Sequence, residues 1–124
     1  MKIYVGHSTN YDYVNELYKP ILKSDLVKEH EFIFPHLNNN FNSNEVINNS
    51  DLFIAEISYP TLGLGIEIGR AETNNQKILC IYKDGVKISS SLKYVNVDLL
   101  SYLDEKDLVD KIGNYISKKS ISKK

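Results

Sequence analysis

The chain alternates short apolar runs with segments whose apolar residues recur at helical spacing. Runs rich in β-branched and aromatic residues predict strands at KIYVG, HEFIFPH, DLFIAEIS, KILCIYK and VDLLSYL. Helical spacing predicts helices over YDYVNELYKPILKS, around residues 43–49, over GIEIGRAETNN and over DEKDLVDKIGNYISKK. This alternation predicts a single three-layer α/β domain, with one parallel sheet of about five strands covered by helices on both faces.

Local signals refine these elements. Pro20 lies inside the first helical pattern and predicts a kink or break near Lys19. The run DLFIAEIS is apolar without alternation, which predicts a strand buried on both faces, and Asp104 is a predicted N-cap of the last helix. We assign residues 1–118 to the domain and residues 119–124 to a basic C-terminal tail that we expect to be disordered.

Composition narrows the class of protein. A chain of 124 residues with 42% hydrophobic residues, 25% charged residues and a net charge of −1 fits one globular domain without the clustered basic residues that nucleic-acid binding needs. Cys80 is the one cysteine, which excludes an internal disulfide and a cysteine-based zinc site. No signal peptide or membrane-length apolar run is present, so we expect a cytoplasmic protein without metal, cofactor, nucleic-acid or membrane partner.

The segment most informative about chemistry is TLGLGIEIGRA, residues 61–71, which follows the third strand. Ligands of parallel sheets bind beyond the carboxyl ends of the strands, where this predicted glycine turn lies. Its glycine spacing does not fit the dinucleotide fingerprint G-x-G-x-x-G, and the phosphate-binding P-loop is absent. The segment instead carries Glu67, which we predict to be ionised because a helix dipole lowers the pKa of a carboxyl group near the N-terminus.

Two interpretations of Glu67 follow from the residues alone. An ionised carboxylate at the mouth of a ligand crevice can act as a nucleophile towards a carbocation-like centre, or stabilise it, which is the chemistry of glycosidic bonds. Alternatively, the glycines only permit close packing of helix on strand, and Glu67 faces solvent. Both interpretations stay open at this level.

The segment SDLFIAEISYPTLGLGIEIGRAETNNQKILCIYK, residues 50–83, closely resembles the central segment of the 2′-deoxynucleoside 5′-monophosphate N-hydrolases, and is more distantly similar to the nucleoside 2-deoxyribosyltransferases. The opening KIYVGHS resembles that family's first strand and loop. The resemblance implies a Rossmann-like (flavodoxin-like) domain and a homodimer with shared active sites. It also implies an N-glycosidase that cleaves the base–sugar bond of a nucleoside 5′-monophosphate through a glutamate nucleophile and a glycosyl-enzyme intermediate.

The resemblance implies roles for individual residues. Glu67 matches the nucleophile, and Tyr4 matches a tyrosine near it. The residues matched to substrate binding are Ser8, His36, Thr61, Gly63, Gly65, Ser89 and Ser90. Ser8 and Thr61 are expected to hold the 5′-phosphate, His36 to lie near the phosphate or the base, and the glycines to make room for the sugar. Ser89 or Ser90 is expected to reach the phosphate from the partner subunit.

Two positions depart from the family. Asn10 stands where the family has an arginine that helps to hold phosphate, and Ser43 stands where the hydrolases place an acidic residue, with Glu45 the nearest carboxylate. The departures keep two further alternatives open. One is base exchange, as in the nucleoside 2-deoxyribosyltransferases. The other is a nucleotide-sensing protein that keeps the pocket without turnover.

Overall fold

A single parallel sheet forms the centre of the fold in the computed structural model, which describes residues 1–37 and 43–122. Its strands are β1 (Lys2–His7), β2 (Glu31–Ile33), β3 (Leu52–Glu56), β4 (Ile78–Lys83) and β5 (Asp98–Tyr102). The five strands lie in the order β2-β1-β3-β4-β5, and every neighbouring pair is parallel. This is the flavodoxin-like order of doubly wound sheets, so the predicted fold class is confirmed.

Helices cover both faces of the sheet. They are α1 (Lys19–Leu22), α2 (Leu26–Glu29), α3 (Ser43–Asn48), α4 (Leu62–Thr73) and α5 (Glu105–Ser122), with a π-helical segment at Val14–Tyr18 and a 3₁₀ segment at Ser90–Tyr94. The π-helical segment gives way to α1 at Lys19, but the backbone of Tyr18 and Lys19 is helical, so the chain does not break there. Pro20 lies in the first turn of α1, where its missing N–H is not needed.

The C-terminal helix begins as predicted. The Asp104 carboxylate accepts a hydrogen bond from the Asp107 backbone N–H at 2.8 Å, which is an N-cap contact. The side chains of residues 119–122 and all of residues 123 and 124 lie outside the described part of the chain, so the disordered tail stays a prediction. No helix in the part that is described is long and apolar enough to cross a lipid bilayer.

Alternating residues of the strands divide the core into two layers. One layer packs strand residues such as Ile3 and Ile54 against α1 and α5, and the other packs Tyr4 and Phe53 against α3 and α4. All five residues of β3 are buried, which confirms the prediction made from its continuous apolar run. Cys80 on β4 is also fully buried, and burial raises the pKa of its thiol to about 12.

The helix that carries Glu67 approaches the sheet closely at Gly6. A Cβ atom at Gly6 would lie 2.6 Å from Cε1 of Phe53 and 3.3 Å from Cδ1 of Leu64. A side chain at this position would therefore displace the Phe53 ring and press on the Leu64 side chain of α4. Glycine at the end of β1 thus allows α4 to take the position from which Glu67 reaches β1.

The predicted glycine turn before α4 is wrong. The helix begins at Leu62, so Gly63 and Gly65 lie inside its first turns and not in a strand-to-helix loop. Thr61 sets this start: its backbone is extended, and its hydroxyl accepts a hydrogen bond from the Leu64 backbone N–H at 3.4 Å. The loop that links β3 to α4 consequently ends at Thr61.

Candidate functional site

The half-buried Glu67 carboxylate faces β1 from the second turn of α4. The hydroxyl of Tyr4 donates a hydrogen bond to Glu67 Oε2 at 3.1 Å. The Tyr4 ring is fixed by edge-to-face packing on Phe53, with centroids 5.4 Å apart. Burial and the neighbouring Glu67 carboxylate raise the pKa of Tyr4, so its hydroxyl stays protonated and can act only as the donor when Glu67 is ionised.

A second hydroxyl reaches the same carboxylate from α3. Ser43, the first residue of α3, hydrogen-bonds the Glu67 side chain, and the charges of His36 and Arg70 favour its ionised form. Burial nevertheless outweighs these effects and raises the pKa of Glu67. The prediction that the helix dipole lowers this pKa is therefore wrong, because desolvation of a half-buried carboxylate is the larger effect.

Open space lies on the side of α4 that carries Glu67. Gly63 precedes Glu67 by four residues and so lies one turn before it on the same face of the helix. Among the described residues, no heavy atom outside the adjoining turns of the helix lies within 4 Å of the position that a Cβ at Gly63 would take. The carboxylate is thus held by two hydroxyl donors at a place where a small group could approach along the helix.

Other predicted binding residues lie on the opposite flank of α4. Thr61, Gly65 and Ser89 line a cavity of about 330 Å³ whose remaining walls are mainly apolar, including Leu64 and Leu92. Residues two apart on a helix do not face each other, so Gly65 and Glu67 point to different sides. The structure therefore brings Thr61, Gly65 and Ser89 together, but not with the Glu67 of their own chain.

Ser89 and Ser90 begin the 3₁₀ segment and are exposed. The Ser89 hydroxyl accepts a hydrogen bond from the Ser91 backbone N–H at 3.3 Å, so it caps this segment. Ser8, by contrast, is 1% exposed, and its hydroxyl accepts a hydrogen bond from the Asn10 backbone N–H at 2.9 Å. The Ser8 side chain is thus engaged within its own loop.

His36 is exposed on the segment after β2. Its ring centroid lies 5.2 Å from that of His7 and 5.3 Å from that of Tyr13. His36 also acts electrostatically on Glu67, so it belongs to the same region as Tyr4 and Ser43. The segment that joins His36 to α3 includes residues 38–42, which lie outside the described part of the chain.

A polar cluster that sequence reasoning did not assemble lies at the ends of β3, β4 and β5. The fully buried Glu56 carboxylate accepts hydrogen bonds from the Ser58 backbone N–H at 2.7 Å, from the Ser58 hydroxyl at 2.9 Å and from the Tyr102 hydroxyl. Burial raises the pKa of Glu56, and these hydrogen bonds oppose that change. The sequence feature that could have indicated this cluster was Glu56, a lone carboxylate at the end of an apolar strand.

Lys83 connects this cluster to the loop after β1. Its ammonium group pairs with the Glu16 carboxylate, donates to the Tyr59 hydroxyl at 2.8 Å, and lies 5.6 Å from the centroid of the Tyr11 ring. The cluster therefore fastens the loop after β1 to the loop that precedes α4. Within residues 1–37 and 43–122, no three His, Cys, Asp or Glu side chains converge in a way that could hold a metal ion.

Comparison with known proteins gives matches in sequence and in structure. No protein-family model matches the chain. It is 44% identical over 46 residues to the 5-hydroxymethyl-dUMP N-hydrolase of Branchiostoma floridae, covering 36% of this chain and 44% of that protein. It is 41% identical over 39 residues to the 5-hydroxymethyl-dUMP N-hydrolase of Homo sapiens, covering 32% of this chain and 22% of that protein. The matched segments thus span less than half the length of these relatives.

A solved structure, the CMP N-glycosidase BcmB of Clostridium botulinum, superimposes with a TM-score of 0.67 at 22% identity. The superposition covers 93% of this chain and 99% of that one, which shows the shared fold. The sequence matches confirm the resemblance stated from residues 50–83. The chain is therefore similar in sequence to the 2′-deoxynucleoside 5′-monophosphate N-hydrolases, and its fold is a Rossmann-like domain.

Proposed function

We propose that the protein is an N-glycosidase that cleaves the base–sugar bond of a nucleoside 5′-monophosphate, with Glu67 as the nucleophile. The observation that carries the proposal is the half-buried Glu67 carboxylate, held by the hydroxyls of Tyr4 and Ser43 beside open space at Gly63. The sequence similarity to nucleotide N-hydrolases supports the same chemistry. The family has a carboxylate where this chain has Ser43, so the proposal concerns a variant of that site.

The reaction has two steps. In the first, a Glu67 oxygen forms a bond to C1′ of the sugar while the C1′–N bond breaks, and the base leaves with the bonding electron pair and takes up a proton from water. In the second, water attacks C1′, the bond from C1′ to Glu67 breaks, and a sugar 5-phosphate is released with a proton. Tyr4 orients the carboxylate through its hydrogen bond and stays protonated throughout.

Ser89, a proposed phosphate donor, does not lie beside the Glu67 of its own chain. Ser89 lines the cavity on the other flank of α4 in its own chain. We therefore infer that a second copy of the chain brings its Ser89 or Ser90 to the Glu67 side, where Ser8 and His36 are further residues proposed to bind substrate. Thr61 stays a proposed phosphate-binding residue, and in its own chain it lies with Ser89 on the other flank of α4. The partner surface proposed for this dimer is the exposed face of α4.

That face has the properties of a helix-packing surface. Leu62 and Ile66 are 82% and 45% exposed. In the part of the chain that the structure describes, Cβ atoms at Gly63, Gly65 and Gly69 would have no neighbour within 4 Å outside the adjoining turns of the helix. Glycine in the interior of an exposed helix costs about 1 kcal/mol relative to alanine, so three glycines here are costly unless another backbone approaches. A second copy of α4 would use that space.

The test is release of free base from a panel of ribonucleoside and deoxyribonucleoside 5′-monophosphates. We expect the wild-type chain to release base from at least one of them, and Glu67→Gln to reduce the rate at least about a thousandfold. Glu72→Gln is the matched control, because it makes the same change on α4 away from Tyr4 and Ser43. Base release by Glu67→Gln at the wild-type rate would contradict the mechanism.

Because Ser43 has a hydroxyl where the family has a carboxylate, one alternative is a nucleotide-sensing protein that binds nucleotide without turning it over. Thermal stabilisation by nucleotides without release of base would support it. Base exchange, the other alternative, is distinguished in the same assay by adding a free acceptor base, since a new nucleotide would then form faster than free sugar phosphate.

A further inference from the structure

His7, at the end of β1, lies in a chain of hydrogen bonds that crosses from one loop to another. It is 8% exposed, and its Nδ1 lies 2.8 Å from the Ser8 carbonyl oxygen. Its Nε2 is hydrogen-bonded to the Tyr18 hydroxyl, which in turn lies 3.3 Å from the His36 backbone nitrogen. The chain of contacts thus begins at the main chain of the loop after β1 and ends at the main chain of the segment after β2.

The groups at the two ends of this series of hydrogen bonds determine where each proton lies. The Ser8 carbonyl can only accept, so His7 Nδ1 carries a proton; the His36 N–H can only donate, so the Tyr18 oxygen accepts there. With Nε2 unprotonated, the Tyr18 hydroxyl donates to it and each group is satisfied. A doubly protonated His7 would instead donate to Tyr18 and leave the Tyr18 proton with no acceptor among the residues that the structure describes.

The surroundings of the ring also favour its neutral form. His7 stacks on Tyr13 with centroids 4.4 Å apart, and the edges of Tyr11 and Tyr18 approach it. Of the ring's aromatic neighbours, His36 is the one that can carry a positive charge, and it disfavours a second positive charge on His7. Burial is the larger effect, and it lowers the pKa of His7 to about 4.

We propose that His7 is a positioning residue: neutral and protonated at Nδ1, it ties the Ser8 loop to His36 through Tyr18 and so fixes the His36 side of the nucleotide site. The part of this proposal that concerns the nucleotide rests on the proposed function. The geometry supports the role, because the Tyr18 hydroxyl accepts a hydrogen bond from the His36 backbone N–H and the His36 ring lies 5.2 Å from the His7 ring. Neither Tyr4 nor Ser43 takes part in these hydrogen bonds.

The test uses the full chain with ¹⁵N-labelled histidine and backbone amides. In the wild-type protein we expect a neutral His7 ring with its proton on Nδ1 at pH 7. Tyr18→Phe removes only the hydroxyl, so His36 N–H loses its acceptor, and its amide should exchange with solvent about fivefold faster or more. His7 should titrate at a higher pH in this variant, since its neutral form loses the donor to Nε2.

His7→Asn is the second variant, because an amide nitrogen can replace Nδ1 as donor to the Ser8 carbonyl but does not reach Tyr18. It should accelerate His36 amide exchange to a similar extent. Tyr82→Phe, which deletes a hydroxyl from β4, is the control and should leave His7 and His36 unchanged. A wild-type His7 with its proton on Nε2, or unchanged His36 exchange in both variants, would overturn the proposal.

Kinetics separate this proposal from the proposed function. With a nucleotide that releases base, Tyr18→Phe should raise KM about tenfold and change kcat less, because Glu67 and Tyr4 are untouched. A change in kcat with KM constant would contradict the positioning role. If no nucleotide releases base, the proposed function fails, and the amide-exchange measurement still decides whether His7 positions His36.

Discussion

At the scale of single residues, the protonation of Glu67 is set by a balance between burial and hydroxyl donors. Burial raises the pKa of this carboxyl group, whereas the hydrogen bonds from Tyr4 and Ser43 lower it. Because only the ionised carboxylate can attack C1′, base release should fall as the pH drops through this raised pKa. The acid side of the pH profile therefore reports on Glu67 directly.

Tyr4→Phe should move that acid limb to higher pH, by roughly one unit. The variant keeps the ring that packs on Phe53 and removes one donor to the carboxylate, which disfavours the ionised form and raises the pKa of Glu67 further. The measurement is kcat/KM for base release between pH 4 and 9. Tyr82→Phe serves as control, and an acid limb that stays in place in Tyr4→Phe would show that Tyr4 does not act on Glu67.

Part of this site was predictable from the sequence. The resemblance singled out Glu67 and Tyr4, and their side chains lie in contact although 63 residues separate them along the chain. The pKa of Glu67 was predicted with the wrong sign, because a helix dipole is a local property whereas desolvation depends on packing against other elements. The hydrogen bonds of His7 to Tyr18, and of Ser43 to Glu67, were equally out of reach, since they join distant segments.

At the scale of elements, the strands were predictable and the start of α4 was not. A strand such as β3 can be predicted from its continuous apolar run, because both of its faces are buried. The glycines after Thr61 suggested a turn, yet the helix already begins at Leu62. The overlooked signal was Thr61 itself, a strong N-cap residue whose hydroxyl satisfies a free backbone N–H.

The packing of β1 against α4 gives a prediction about two glycines. Gly6→Ala should lower the free energy of unfolding by about 1–3 kcal/mol, because the new Cβ would lie 2.6 Å from Phe53 Cε1. Gly113→Ala is the matched control inside α5, where a Cβ would lie 3.5 Å from Leu26, an ordinary contact. We expect this variant to be stabilised by about 0.5–1 kcal/mol through helix propensity.

Urea unfolding followed by circular dichroism measures both changes. Because Gly6 holds α4 close to β1, Gly6→Ala should also weaken base release by displacing Glu67 from Tyr4, whereas Gly113→Ala should leave it unchanged. Equal stability changes in the two variants would show that the approach of α4 to β1 is not tight at Gly6.

At the scale of the whole molecule, the two flanks of α4 separate the proposed nucleophile from the proposed phosphate serines. In one chain Ser89 borders the apolar cavity with Gly65, and Glu67 contacts Tyr4 on the other side. A complete site in the proposed dimer thus takes Glu67 from one copy and Ser89 or Ser90 from its partner.

Mixing two inactive variants tests this arrangement. One chain carries Glu67→Gln, and the other carries Ser89→Ala with Ser90→Ala; each alone should release base poorly. After unfolding and refolding together in equal amounts, about half of the dimers are mixed and each has one intact site, so activity should return to roughly a quarter of the wild-type value. Refolding each variant separately before mixing is the control. Activity that stays at the level of the separate variants would exclude sites shared between copies.

The burial of Cys80 has a practical consequence for a protein whose ligand is to be identified. The one thiol of the chain sits in the middle of the sheet with a raised pKa, so an alkylating reagent can modify it only when β4 opens. A compound that binds only the folded chain lowers the population of the open form by the factor 1 + [L]/Kd, and the alkylation rate falls by the same factor when closing is faster than alkylation. The alkylation rate of Cys80 can therefore rank nucleotides by affinity without any turnover, because a single thiol reports how often β4 opens.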